Sequence, residues 1–172
     1  AALLLRARSR MPIFVSALQN RGIAVEVVGL GGLLQMPEVV DVVSALKAIH
    51  SPANGAALIR LLSGARWRVG AKDIAALNRF ARQLAKNHAD EDDGYGADFE
   101  SSIIDATDVL ATSNREWHTD ISEAGLERIK DAGQVLRRLR QRQGLSLQEL
   151  VRAVESELWL DIELRANPSR IN

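Results

Sequence analysis

Arg66, Arg68 and Lys72 flank Gly70 where a helix is about to begin, and that grouping suits phosphate. Backbone amides at a helix start, joined by nearby cations, bind phosphate oxygens without reading base sequence. Gly29-Leu30-Gly31-Gly32-Leu33-Leu34 follows a β-branched run, where a dinucleotide fingerprint would lie. That fingerprint needs a glycine at its sixth position, and Leu34 stands there, so a tight turn is the simpler role. Gly64 to Lys72 imitates a Walker A loop, but five residues separate Gly64 from Gly70 and Ala71-Lys72-Asp73 replaces Gly-Lys-Ser/Thr. Amides spaced that way do not wrap a triphosphate. Asp93, Gly94 and Glu100 fit the fifth, sixth and twelfth positions of a calcium loop, yet Ala89 takes the first, where a carboxylate is required. His50, His88 and His118 share no ligand spacing, and no metal site is expected. The chain has no cysteine and no Gly-x-Ser-x-Gly elbow, which excludes a thiol nucleophile, a disulfide scaffold and a cysteine zinc site.

The elements that must position these residues read as mainly α with a small α/β portion. Ala1–Leu5 is an apolar run of the kind a buried parallel strand shows. Pro12 opens a short helix with Ile13, Phe14, Ala17 and Leu18 on one face, Gly22 closes it, and Ile23–Val28 is a second β-branched run. Strand, helix and strand in that order predict a βαβ unit. Two parallel strands are not a viable sheet, so further strands must come from elsewhere. After residue 36 the pattern is helical: Pro37 to His50, Ala56–Leu62 behind Asn54, 71–87 with Ile74, Leu77, Phe80 and Leu84 in a stripe, Ile103–Leu110, Ile121–Arg142 and Leu147–Leu158. Residues 89–100 read as an acidic loop. Ser146 with Glu149 three residues on is a capping box. From Val154 to Leu164, the apolar Leu158, Trp159, Leu160, Ile162 and Leu164 predict a buried segment.

The chain has 172 residues and 22 basic against 22 acidic side chains, so its net charge is zero, yet the charges are segregated. Residues 1–82 carry eleven basic and four acidic residues, and 83–123 carry two basic and eleven acidic. That distribution predicts a polyanion-facing front half and a solvated acidic connector. No apolar run approaches the ~18 residues of a membrane span. With no leader pattern visible either, a cytoplasmic location is expected. Ala1–Leu5 lacks an initiator methionine, and Asn167 to Asn172 stops inside turn chemistry, so a piece of a longer protein is expected.

The front half also carries an ordered series of segments. Leu3-Leu4-Leu5-Arg6-Ala7-Arg8, Pro12, Ala17-Leu18 and Arg21-Gly22-Ile23-Ala24-Val25-Glu26-Val27-Val28-Gly29 resemble motif IV and its sequel in superfamily I DNA helicases of the UvrD, Rep and PcrA type and their AddAB, RecB and AdnAB relatives. Leu33-Leu34, Pro37-Glu38-Val39, Asp41-Val42 and Leu46 resemble the helix that follows there. Leu58, Arg60-Leu61-Leu62, Arg66-Trp67-Arg68-Val69-Gly70 and Asp73-Ile74 resemble the next segment, with Arg68 at the first glycine of the family's Gly-Ile-Gly. Glu157-Leu158, Asp161, Asn167, Arg170 and Asn172 resemble a landmark of the family's 2B domain.

The resemblance implies that residues 1–75 are the N-terminal part of RecA-like domain 2A and that 76–172 belong to a helical 2B-like insertion. It implies an ATP-dependent DNA helicase or translocase acting in repair or recombination, inactive as this piece alone. ATP and Mg2+ would serve the whole protein. DNA, both single strand and duplex junction, would be the partner, with a helicase–nuclease subunit as a further one. Arg6 matches the arginine that contacts the ATP γ-phosphate, work that suits a planar guanidinium of constant charge. Arg66, Arg68, Gly70 and Lys72 fall in the region used near DNA, and Trp67 offers either a stacking surface or a core residue. A second reading comes from Leu136 to Leu150, where a basic helix, Gly-Leu-Ser and another helix resemble the opening of a repressor-type helix-turn-helix. On that reading the protein is a non-catalytic DNA-binding regulator.

Overall fold

The computed structural model describes residues 1–7, 10–25, 33–91, 102–160 and 162. The chain divides into two compact units, Ala1–Val39 and Val40–Asn172.

In the first unit, helix α1 spans Met11–Gln19, with proline in its first turn, where the missing N–H costs no hydrogen bond. Gly22 closes it with φ +72°, a left-handed turn that a Cβ would oppose. The Gly22 N–H donates to the Gln19 carbonyl at 2.9 Å and the Ile23 N–H to that of Leu18 at 3.1 Å, a Schellman closure. A 3-10 turn covers Leu33–Gln35.

Among the described residues the βαβ unit expected here is not formed. Ala1–Leu5 is not a strand and Leu4 is 94% exposed. Ile23 to Val25 are not a strand either, and the remainder of that run, from residue 26, lies outside the described residues. Among the described residues every regular element is helical, so the α/β portion of the expected fold class is corrected to all-α. The physical reason is that a strand, unlike a helix, cannot close its own hydrogen bonds. Two short apolar runs find no ladder among the described residues to satisfy theirs.

The helices beyond are α2 (Pro37–His50), α3 (Gly55–Ser63), α4 (Ala71–Glu91), α5 (Ile103–Thr112), α6 (Glu123–Arg140) and α7 (Leu147–Leu158). Most of the acidic loop, from residue 92 to 101, lies outside the described residues, while Ala89 to Glu91 still belong to α4. Local chemistry fixes the helix starts. Ser102, Ser122 and Ser146 each accept a backbone N–H three residues on, and Ser146 with Glu149 completes the capping box. Asn54 precedes α3 but does not cap it with its side chain; its Nδ2 donates instead to the Lys47 carbonyl at 2.9 Å.

Helix α5 lies against α3, α4 and α6, and α7 packs on α6. Leu58, Leu62, Leu77, Ile104, Ile129 and Leu136 are fully buried between them. The α5–α6 crossing is close because position 133 is glycine: a Cβ there would stand 2.6 Å from Ala111 Cβ and 2.9 Å from the Thr107 carbonyl oxygen.

Gly133→Ala sets two effects against each other. Helix propensity favours alanine by about 1 kcal/mol, whereas overpacking costs about 1–3 kcal/mol. The Thr107 oxygen is backbone and cannot rotate away, so overpacking wins and urea unfolding should show a net loss of about 1 kcal/mol. Gly144→Ala, where a Cβ meets nothing, should show no loss. Equal stability of the two variants would contradict the close crossing.

Candidate nucleic-acid interface

The turn from α3 to α4 carries four of the five residues singled out by sequence. Gly64 ends α3, the Arg68 N–H donates to the Gly64 carbonyl at 3.0 Å, and the Val69 N–H donates to that of Leu62 at 2.8 Å. These bonds fold the segment back on itself, with Trp67 and Val69 buried and Arg68 at φ +49°. The Arg68 side chain donates from Nε to the Ala65 carbonyl at 3.0 Å, and its own carbonyl accepts from Arg128 Nη1 at 3.0 Å. Arg68, Gly70 and Lys72 are exposed.

Arg66 does not join them. Its side chain is only 12% exposed and turns inward, with Nη2 3.5 Å from Asp131 Oδ2. The guanidinium lies 4.1 Å from the Trp159 ring centroid and 5.1 Å from that of Trp67. Its Nε and Nη1 are buried without a hydrogen-bond partner. The two rings and one carboxylate therefore replace the water it has lost, an arrangement in which cation–π attraction is strong because it is desolvated. Burial pushes the Arg66 pKa down, opposed by the charges of Asp131 and Glu157. A guanidinium starts so high that it remains a cation at neutral pH. Arg66 is thus a strut rather than an exposed phosphate ligand.

Trp67 settles as a core residue, 3% exposed, and its Nε1 donates to Asp131 Oδ2 at 2.7 Å. Asp131 on α6 therefore receives both Trp67 and Arg66. Nearby, Arg138 of α6 grips Glu157 of α7, with Nη2 2.8 Å from Oε2 and Nε 3.2 Å from Oε1. Those hydrogen bonds hold the Glu157 pKa below the ordinary range against its partial burial, with Arg138, Arg142 and Arg66 adding favourable charge. The contacts that Asp131, Glu157 and Trp159 make with Arg66, Trp67 and Arg138 escaped the sequence reading because the partners lie well apart along the chain. The buried segment expected after Val154 is corrected in part: Leu158 and Leu160 are buried, but Trp159 and Ile162 are exposed.

At the start of α4, Asp73 reaches α6 instead of solvent. Its Oδ1 accepts the Ser122 backbone N–H at 2.9 Å and its Oδ2 the Ser122 hydroxyl at 2.8 Å. The hydroxyl oxygen in turn accepts the Gly125 N–H at 3.1 Å, so one serine caps α6 and ties it to α4. The Ser122 backbone bond, then its hydroxyl and the charges of Lys72 and Arg128, lower the Asp73 pKa. Arg128 and Lys72 thus lie near one carboxylate that is already engaged, and Arg128 also reaches the Arg68 carbonyl.

Arg6 belongs to the first unit, where it is exposed and not carried by a strand. Among the described residues no three His, Asp or Glu side chains converge as a metal set, and no helix is long and apolar enough to cross a membrane. No family model matches the chain, and the search of curated proteins found no match.

The Asp73–Ser122 tie has a pH signature. A carboxylate with a depressed folded pKa contributes stability that is fully present above its unfolded value and is lost as pH falls through the folded one. Asp73→Asn should therefore melt lower than the native chain at pH 7, and the gap should shrink below about pH 4. A gap that stays constant from pH 7 to pH 3 would show that the charge of Asp73 contributes nothing.

Proposed function

We propose that this chain is part of an ATP-dependent DNA helicase or translocase of the cytoplasm, and that it supplies a helical surface which contacts DNA through phosphate. The observation that carries the reading is the gathering of Arg68, Lys72 and Arg128 at the start of α4, exposed or reaching a backbone oxygen, with Gly70 open beside them. Cations at a helix start grip phosphate and carry no base-specific contacts, which is what a motor moving along arbitrary sequence requires. The ordered resemblance of residues 1–82 to superfamily I helicases supports the choice of a motor over other DNA-binding proteins.

The Gly64–Lys72 segment does not fit ATP as a cradle. It spends Trp67 and Val69 on the core and Arg66 on Asp131, leaving no loop of amides around a triphosphate. ATP and Mg2+ are accordingly proposed for the longer protein only, and this piece alone is expected to be inactive. The γ-phosphate role of Arg6 rests on the resemblance alone.

The helix-turn-helix reading is weaker. Helices α6 and α7 do form a pair, but Arg138 is held by Glu157 and Arg140 Nη1 lies 3.0 Å from Asp108, so two of the arginines that would face a groove are spent within the fold.

Fluorescence anisotropy with unrelated DNA sequences over a salt series tests the proposal. The affinity should be indifferent to sequence and fall linearly on a log–log plot, and the double variant Arg68→Ala/Lys72→Ala should reduce the slope by about one to two. A marked preference for one duplex sequence would favour the regulator. In the longer protein, Arg6→Ala should abolish DNA-stimulated ATP hydrolysis while sparing DNA binding.

A further inference from the structure

Trp159 stands in a backbone conformation that is rare for its side chain. It follows α7 with φ +58°, in the left-handed region that a bulky side chain rarely adopts. The turn itself has a structural reason. Leu158 and Leu160 are both buried, at 6% and 5% exposure, and in a continuing helix residues two apart point nearly opposite ways. The left-handed step at 159 turns both leucines inward. Glycine or asparagine performs that step without strain. Tryptophan at this position is instead 59% exposed.

One ring face is propped. The Arg66 guanidinium lies 4.1 Å from the ring centroid, and Arg66 is itself held against Trp67 and Asp131. With the guanidinium against one face, most of the residue is still accessible. Arg66 is paired with Asp131 and Arg138 with Glu157, and Arg142 adds a further positive charge near Glu157. A strained backbone position persists where the surroundings hold it, and such positions gather at sites of function.

We propose that Trp159, backed by Arg66, is a stacking platform for an unpaired nucleobase of single-stranded nucleic acid. Every base offers a π-face, so such a platform tolerates all sequences, and the cation behind the ring supports the stack. The inference rests on the proposed function only for the choice of nucleic acid as ligand. The platform also differs from the α4 surface in kind, because it reads the presence of a base rather than of phosphate.

The test compares binding of this chain to an oligothymidine and to an abasic strand of the same length, which keeps the phosphates and removes the bases. Oligothymidine should bind more tightly and quench tryptophan fluorescence. Trp159→Gly, which suits the left-handed turn and should keep the far-UV helical spectrum, should weaken oligothymidine binding about tenfold and leave the abasic strand unchanged. Trp159→Phe, which keeps a smaller ring, should fall between. Equal binding of the two strands by the native chain, or a Trp159→Gly loss shared equally by both, would overturn the platform while leaving the phosphate reading intact. Binding to neither strand would overturn the DNA reading as well. Quenching by an aromatic-rich peptide with none by oligothymidine would assign the ring to a protein partner and likewise overturn the proposal.

Discussion

Asp131 is the carboxylate on which the arrangement of the second unit turns. It sits on α6, yet its partners, Trp67 and Arg66, are adjacent residues in the turn between α3 and α4. Trp67 brings a large apolar ring into the core together with a polar N–H that must find an acceptor there. Asp131 Oδ2 supplies that acceptor at 2.7 Å. The same oxygen faces Arg66, and Arg66 in turn lies against Trp159 at the end of α7. One carboxylate thereby ties three parts of the unit that have no neighbours in sequence. Removing it would leave a buried indole N–H and a nearly buried guanidinium facing each other without an anion between them.

With Arg66 and Trp67 committed inward, the residues that remain outside acquire a definite layout. Arg68 and Lys72 project from either side of Gly70, and Arg128 reaches the Arg68 carbonyl from α6. Asp73 would weaken an anion site at this helix start, since a carboxylate competes for the same positive end. Its two hydrogen bonds from Ser122 turn it toward α6 and leave Arg68 and Lys72 outside. Structural ties and ligand-facing charge are thus divided between neighbouring residues: positions 68 and 72 are exposed, while 66, 67 and 69 are spent on holding the turn.

The helices after residue 36 were legible in the sequence because their ends are written locally. Pro37, the Ser146–Glu149 box and the apolar stripe from Ile74 to Leu84 act within a few residues of themselves. The strands were misread for the opposite reason. The run Ala1–Leu5 has the composition of a buried strand, but composition does not provide the neighbour that completes its hydrogen bonds. The site was half legible. Charge and spacing brought Arg68, Gly70 and Lys72 to attention, whereas the inward turn of Arg66 depends on Asp131 and Trp159, far along the chain. Trp159 was misjudged because hydrophobicity suggests burial, and nothing local announced a left-handed step that turns its two neighbours inward instead.

The claim that Asp131 anchors the α3–α4 turn is tested most directly by a double-mutant cycle in urea, combining Trp67→Phe with Asp131→Ala. Phenylalanine keeps the ring in the core and removes the N–H, so the cycle isolates the bond. A hydrogen bond to a charged acceptor that is half in solvent should give a coupling of about 1 kcal/mol. Additivity of the two variants to within about 0.3 kcal/mol would show that the Trp67–Asp131 bond does not hold the turn.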